Sequence, residues 1–251
     1  MGSKNNPCDI FEQLMYTKSN GIFIEKNLKN TICNVKLDSD MLLILPATED
    51  LNNIRNYKNL KYLEINNYKI GSKENKILEK NENVLKKITH LKIWNIKQND
   101  LEILQYFPKL THLQISYIKK ENFSFKGLNY VNNLNTLCLS SVNGIKDFNF
   151  IDNNNKLKIK NLSITYCTKL NNFNGIAEYK NLETLEINYS TLESRKRTLL
   201  ENISGIEYLK KLKYLELNYY KIDIEYFKNR IKILKNLKEY IIDNVKYKNG
   251  I

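Results

Sequence analysis

His90 and His112 are the only histidines in the chain and stand 22 residues apart, and Cys138 follows 26 residues after the second. Imidazole and thiolate are the usual holders of zinc, and a cysteine beside a histidine is also the core of a thiol nucleophile. A metal centre needs three or four converging ligands, and no carboxylate stands at a spacing that completes this set. The sequence holds no Gly-rich phosphate loop, no G-x-S-x-G turn and no paired His/Glu zinc motif. Neither catalytic residues, nor a metal, nor a cofactor is expected. Cys8, Cys33, Cys138 and Cys167 show no C-x-x-C spacing, so four unpaired thiols in a reducing, cytoplasmic setting are expected.

What those side chains can reach depends on the elements that carry them, and these repeat. Leu60, Leu63 and Ile65 form a spine L-x-x-L-x-I that returns as Ile88/Leu91/Ile93, Leu110/Leu113/Ile115 and Leu134/Leu137/Leu139. It continues as Ile159/Leu162/Ile164, Leu182/Leu185/Ile187, Leu212/Leu215/Leu217 and Leu237/Tyr240/Ile242. The steps between first positions are 28, 22, 24, 25, 23, 30 and 25 residues. Ser39/Leu42/Ile44 reads as a degenerate earlier copy, giving eight or nine units. Gly127-Leu128, Gly175-Ile176 and Gly205-Ile206 each begin seven residues before a spine, with Val131, Tyr179 and Leu209 three residues before it. That period of three suits a 3₁₀ turn, and the final alternation suits a strand with every second residue buried. Repetition at a fixed period of this length is the mark of a stacked array. The long spacer Lys73–Lys87 reads as a charged helix in which Ile77, Leu78, Val84 and Leu85 can pack.

The pattern resembles a leucine-rich repeat with units of about 22–25 residues, of the kind seen in internalins and in the phosphatase-regulator type of intracellular leucine-rich protein. The resemblance covers residues 39–251. It implies an α/β repeat solenoid, a curved horseshoe with a concave parallel sheet and short convex helices or 3₁₀ turns, used as a binding scaffold. Residues 1–38 are expected to cap the array, with a short helix around Asp9–Met15 and strands before residue 38. One departure is visible. The family places asparagine eight residues after the first spine leucine, whereas here those positions hold Tyr68, Ile96, Ile118, Val142, Cys167, Ser190, Tyr220 and Val245. Turns packed with apolar side chains are expected instead.

Strand alternation sends the residues two, four and six places beyond each first leucine to the concave face. Among them are Tyr62, Glu64, His90, Lys92, Trp94, His112, Gln114, Glu186, Tyr214 and Glu216, with Tyr117, Tyr166, Tyr189 and Tyr219 one residue further on. His90 and His112 share a row on consecutive strands, roughly 5 Å apart. Coupling between them would let mild acid modulate binding. The formal charge of the chain is +13. Yet the three concave rows carry one lysine against Glu64, Glu186, Glu216, Glu239 and Asp243. A nucleic-acid binder is expected to place cations where phosphates run, so nucleic acid is not expected on this face. Tyrosine and tryptophan are the usual anchors of protein interfaces.

The resulting expectation is a monomeric, non-enzymatic scaffold that captures a protein partner, with Trp94, Tyr189 and Tyr214 as anchors. Two other readings remain open: a binder of nucleic acid or anionic surfaces through the basic convex side and the Arg195-Lys196-Arg197 loop, and a regulatory subunit that targets an enzyme. No run of about 18 apolar residues is present, so no membrane span is expected. The N-terminal residues lack the apolar stretch of a secretory leader.

Overall fold

Apolar side chains at the first, fourth and sixth places of each spine, leucine or isoleucine in all but Tyr240, leave a strand with one oily face, which must be covered to be stable. The covering is supplied by the period-three segment that precedes each strand. In the computed structural model, the residues described are 41–45, 54–55, 59–66, 72–189 and 198–249. They fall into two compact units, residues 1–118 with 126–134, and residues 119–125 with 135–251. The capping segment expected over residues 1–38 and the Arg195–Arg197 loop lie outside the described residues.

The first unit contains strands β1 (Met41–Leu45), β2 (Leu60–Asn66), β3 (His90–Trp94) and β4 (His112–Ile118), paired in parallel in chain order. Leu63, Leu91 and Leu113 lie in register, as do Ile65, Ile93 and Ile115, and all six are buried. The first copy of the spine departs from expectation by one residue. Backbone pairing sets Leu43 against Leu63 and Leu45 against Ile65, after an irregularity between Met41 and Leu42. A one-residue slip exchanges the two faces of a strand, so Leu43 and Leu45, not Leu42 and Ile44, hold the spine positions there. The Lys73–Lys87 spacer forms two helices rather than one, α1 (Ser72–Lys80) and α2 (Glu82–Leu85). Asn81 interrupts them, its buried amide donating to the Ile77 carbonyl oxygen at 2.8 Å. Ile77, Leu78, Val84 and Leu85 are all buried.

The second unit contains β5 (Thr136–Val142), α3 (Asn153–Lys156), β6 (Asn161–Thr165), β7 (Thr184–Asn188), β8 (Thr198–Leu199), β9 (Tyr214–Asn218), β10 (Tyr220–Lys221), α4 (Ile224–Ile231), β11 (Glu239–Ile242) and β12 (Val245–Lys248). Strands β5, β6, β7, β9 and β11 pair in parallel in that order, and β12 turns back antiparallel on β11. The 30-residue step uses its extra length for the small β8–β10 pairing. Phe148 meets Phe173 and Tyr179 edge to face beneath this sheet.

The period of three appears as a relay of hydrogen bonds. Amides of Leu104, Phe107 and Leu110 donate to the carbonyls of Leu101, Leu104 and Phe107 at 2.9–3.0 Å. Ile176, Tyr179 and Leu182 repeat the relay from Phe173. Each i→i+3 bond closes a 3₁₀ turn and puts an apolar side chain on the same side every third residue. The turns before them are tied by side chains. Asp147, Asn172 and Asn202 each accept, through Oδ1, the amide of the residue two places on, at 2.8–3.0 Å. These are Asx turns. As expected, Ile96, Ile118, Val142, Cys167 and Tyr220 fill the eighth position as buried side chains. Val245 is the correction, being 52% exposed in the antiparallel β12.

Helix α4 starts where the Asp223 carboxylate accepts the Tyr226 amide at 2.9 Å. An N-cap of this kind contributes about 1 kcal/mol. Asp223→Ala is expected to lower unfolding stability by about that amount in a urea titration, and Asp223→Asn to lower it by less.

Candidate functional site

In the first unit the open face of the sheet is an aromatic ladder. Tyr62, His90 and His112 occupy one row on β2, β3 and β4. Their ring centroids lie 4.4 and 4.1 Å apart, and the two imidazoles are stacked at 15°. Each histidine follows a threonine. Thr111 Oγ1 donates to the Thr89 carbonyl at 3.0 Å, which leaves it to accept from His112 Nδ1–H at 2.8 Å. Thr89 repeats the arrangement more loosely, 3.4 Å to the Lys61 carbonyl and 2.9 Å to His90 Nδ1. The His112 ring is thereby held as its neutral Nδ1–H tautomer. Burial, and then the neighbouring His112, holds the His90 pKa down at about 3, and burial lowers that of His112. The expectation that mild acid acts through the pair is corrected for His90, whose own titration lies far below that range.

Beside this ladder Lys92 and Glu64 form an ion pair at 3.2 Å, next to Gln114 in the same row. Trp94 stacks on Tyr117 with centroids 5.3 Å apart and planes at 13°. Both are 39% exposed. Rings on adjacent strands that stack on one another stand upright from the sheet, so water and partners meet their edges and the tyrosine hydroxyl, not their faces.

The second unit differs. Glu186 and Glu216 are register partners on β7 and β9. Glu186 accepts from Ser163 Oγ at 3.0 Å and from Asn188 Nδ2 at 2.7 Å. Glu216 accepts from Asn218 Nδ2 at 2.6 Å and from the Tyr214 hydroxyl. Tyr189 turns toward the interior, edge-on to the buried Tyr220 at 5.5 Å. Tyr166 and Tyr219 are 44% and 40% exposed.

Three of the strand-end tyrosines share a backbone feature. Tyr117, Tyr166 and Tyr219 have φ of 65°, 56° and 68°, as do Asn95 and Ser141 at the same place in their units with 58° and 55°. The left-handed residue turns the chain so that the next one, at the eighth position, drops into the core. Bulky residues rarely accept this conformation, which glycine or asparagine adopts at low cost.

The structure thus gathers Tyr62, Glu64, His90, Lys92, Trp94, His112, Gln114 and Tyr117 on the open face of the first unit. It gathers Tyr166, Glu186, Tyr214, Glu216 and Tyr219 on that of the second, with Tyr189 partly withdrawn. Sequence reasoning missed the side chains that orient them, although the signal was present. Thr-His-Leu-x-Ile occurs twice, at Thr89 and Thr111, and Glu-x-Asn stands at the same place in three spines, at Glu64, Glu186 and Glu216. Cys167 is a buried free thiol that burial pushes up to about 12. Cys138 is disulfide-bonded, which corrects the expectation of an unpaired thiol there. Among the described residues no group of three or more histidines, cysteines and acids could hold a metal ion, and no helix is long and apolar enough to cross a membrane.

No family model matches the sequence, and no curated protein matches it. Solved structures do. A leucine-rich-repeat protein of Leptospira interrogans aligns over 94% of this chain and 58% of its own, at 18% identity and a TM-score of 0.52. Internalin C2 of Listeria monocytogenes aligns over 79% of this chain and 76% of its own, at 19% identity and a TM-score of 0.46. Internalin F of the same organism aligns over 81% of this chain and 58% of its own, at 16% identity and 0.46. The chain therefore spans 58% of the length of two of the three. The first of these likenesses, with the parallel strands and 3₁₀ turns described above, gives the fold as a leucine-rich-repeat solenoid.

Proposed function

We propose, from the premise that this is a leucine-rich-repeat protein, that it is a non-enzymatic scaffold whose open sheet face captures a protein partner. The observation that supports this most directly is the placement of its exposed aromatic side chains. Trp94, Tyr117, Tyr166 and Tyr219 stand at or just beyond the ends of strands whose other face is fully buried. Large aromatic groups on rigid strands bury much area while losing little conformational freedom, which is the property of interface anchors.

The anchors to substitute follow from the packing. Tyr189 leans on buried Tyr220 and Tyr214 is tied to Glu216, so changing either would disturb its neighbours as well as the face. Tyr166 and Tyr219, with Trp94, whose stacking neighbour Tyr117 is itself exposed, are the cleaner set. In affinity capture with mass spectrometry from cytosolic and secreted fractions of the native host, the triple Ala variant is expected to lose its specific partner at least tenfold. That corresponds to about 1.4 kcal/mol or more. Undiminished recovery by a folded triple variant would refute the reading.

A further inference from the structure

The second unit carries much of its positive charge on one rim, where each period-three segment hands over to a strand. We propose that this rim docks on a membrane leaflet rich in anionic lipid. Its lysine ammonium groups meet the headgroups, and Leu157, Tyr208 and Ile233 enter the interface between them. The proposal does not rest on the capture of a protein partner, and it leaves the open face of the unit free for one.

Charge placement is the first support. Residues 157–160, 176–183, 206–213 and 231–238 lead into β6, β7, β9 and β11, and together hold nine lysines against Glu178, Glu183 and Glu207. Two of those acids are engaged from within, Glu183 by Lys213 and Glu207 by Arg230. Lys160, Lys180, Lys210, Lys211, Lys235 and Lys238 are all exposed. Hydrogen bonds between consecutive repeats hold these segments side by side. Asn181 Nδ2 donates to the Leu157 carbonyl at 2.8 Å, and Asn236 Nδ2 donates to the Lys210 carbonyl at 2.7 Å. The Lys211 ammonium donates to Asn181 Oδ1 at 2.6 Å. The lysines therefore form a row that advances with the strands, about 4.8 Å at each step.

The apolar side chains among them are the second support. Ile206, Leu209 and Leu212 are buried, as are Ile231, Leu234 and Leu237. The places between them face outward, and there stand Tyr208, 61% exposed, and Ile233, 49% exposed. Each comes two residues before a lysine of the row, Lys210 or Lys235. Leu157, also exposed, takes the place in its repeat that Lys180, Lys210 and Lys235 take in theirs. One exposed apolar side chain needs no explanation. Three of them set among lysines on one rim make an interfacial surface, in which cations attract anionic lipid and apolar groups bury at the acyl boundary. A nucleic-acid backbone would reward the lysines but offer nothing to Leu157 or Ile233.

The combination is confined to this rim. At the other ends of the strands Lys146 and Lys221 stand beside or near Asp147 and Asp223, and Lys169 is ion-paired with Glu121. In the repeats of β3 and β4, the place of Lys180 holds Lys86, paired with Glu82, and Pro108. Tyr130 is exposed in the place of Tyr208 but is followed by Asn132 and Asn133. The outward positions of β5, β6, β7, β9 and β11 carry no lysine or arginine, so the open face of this unit does not compete with the rim for an anionic surface.

Co-sedimentation of the full chain with sucrose-loaded vesicles tests this, using phosphatidylcholine alone or with about 30% phosphatidylserine. Binding is expected to favour the anionic vesicles by about tenfold or more and to weaken as salt is raised. The Lys160→Gln, Lys180→Gln, Lys235→Gln variant is expected to lose about tenfold. The Lys146→Gln, Lys169→Gln, Lys221→Gln variant removes the same charge from the other ends of the strands and is expected to stay within about twofold of wild type. Tyr208→Ser with Ile233→Ser is expected to lose about fivefold at an unchanged urea midpoint, both side chains being exposed. Equal loss from the two lysine variants, undiminished binding by the double Ser variant, or no preference for phosphatidylserine would overturn the proposal. So would tighter binding to a single-stranded RNA oligonucleotide than to the anionic vesicles, which would give the rim to nucleic acid. Partner capture by the rim variants is expected to match wild type, so the scaffold reading stands or falls separately, on the Trp94, Tyr166, Tyr219 variant.

Discussion

Gly127→Ala is expected to destabilise the first unit by about 3 kcal/mol, among the largest effects of any single methyl group in this chain. A Cβ at Gly127 would fall inside the carbonyl of Leu101 and 2.8 Å from its Cβ. Leu101 is buried and heads the relay of 3₁₀ turns, its carbonyl accepting the Leu104 amide at 2.9 Å. Neither partner is a flexible side chain, so the methyl group is accommodated only by parting two successive turns. Urea unfolding followed by circular dichroism measures the change. Gly175→Ala is the instructive comparison. There φ is +85°, and the added Cβ would meet the exposed side chain of Asn149, whose Oδ1 accepts from the buried Lys156 ammonium at 2.9 Å. Its expected loss is the left-handed strain, about 1–2 kcal/mol, together with the weakening of that hydrogen bond as Asn149 moves aside. A Gly127→Ala protein as stable as wild type would contradict the close approach of the two turns.

Stability is also expected to fall as pH drops from 7 to 5, through the histidine ladder. In the unfolded chain His90 takes a proton near its ordinary value of 6.5, whereas in the folded protein burial delays this to about 3. Between those values the unfolded state binds more protons, so lowering pH favours unfolding. The stabilisation is complete above pH 6.5 and is lost progressively below it. One such group gives a slope approaching about 1.4 kcal/mol per pH unit. Because water still reaches part of the ring, a loss of about 1 kcal/mol from His90 by pH 5 is expected. His112 is lowered for the same reason and acts in the same direction. Replacing both by glutamine, which can still donate to Thr89 and Thr111, is expected to flatten the dependence of the urea midpoint over that interval. An unchanged slope in His90→Gln, His112→Gln would show that the rings titrate normally.

The array and its two faces were legible because leucine spacing is a direct record of burial. Leu91, Leu113, Leu162 and Leu215 lie where the period puts them. So do the outward residues on either side of them. The phase of the first spine is not legible because Met41–Leu45 is apolar throughout, and without alternation a strand carries no phase. The eighth position carries no sign of how the turns are tied, since the chain ties them through Asp147, Asn172 and Asn202. That pattern, an acid or amide followed by a buried Phe or Ile, is visible in retrospect. The left-handed tyrosines were not legible, since nothing in a tyrosine's own chemistry asks for positive φ. Which rings pair was hidden too. Trp94 with Tyr117, and Tyr189 with Tyr220, are choices of rotamer that spacing leaves open.

Trp94 is the only tryptophan among 251 residues, and it stands 39% exposed, packed ring to ring on Tyr117. Excited selectively, the whole emission of the protein therefore comes from one indole on the open face of the first unit. Its colour reports how wet that single place is. Anything that covers it will shift the light to shorter wavelength, and anything that docks only on the second unit will leave it unmoved. The chain carries, unlabelled, an optical address for where a ligand has landed.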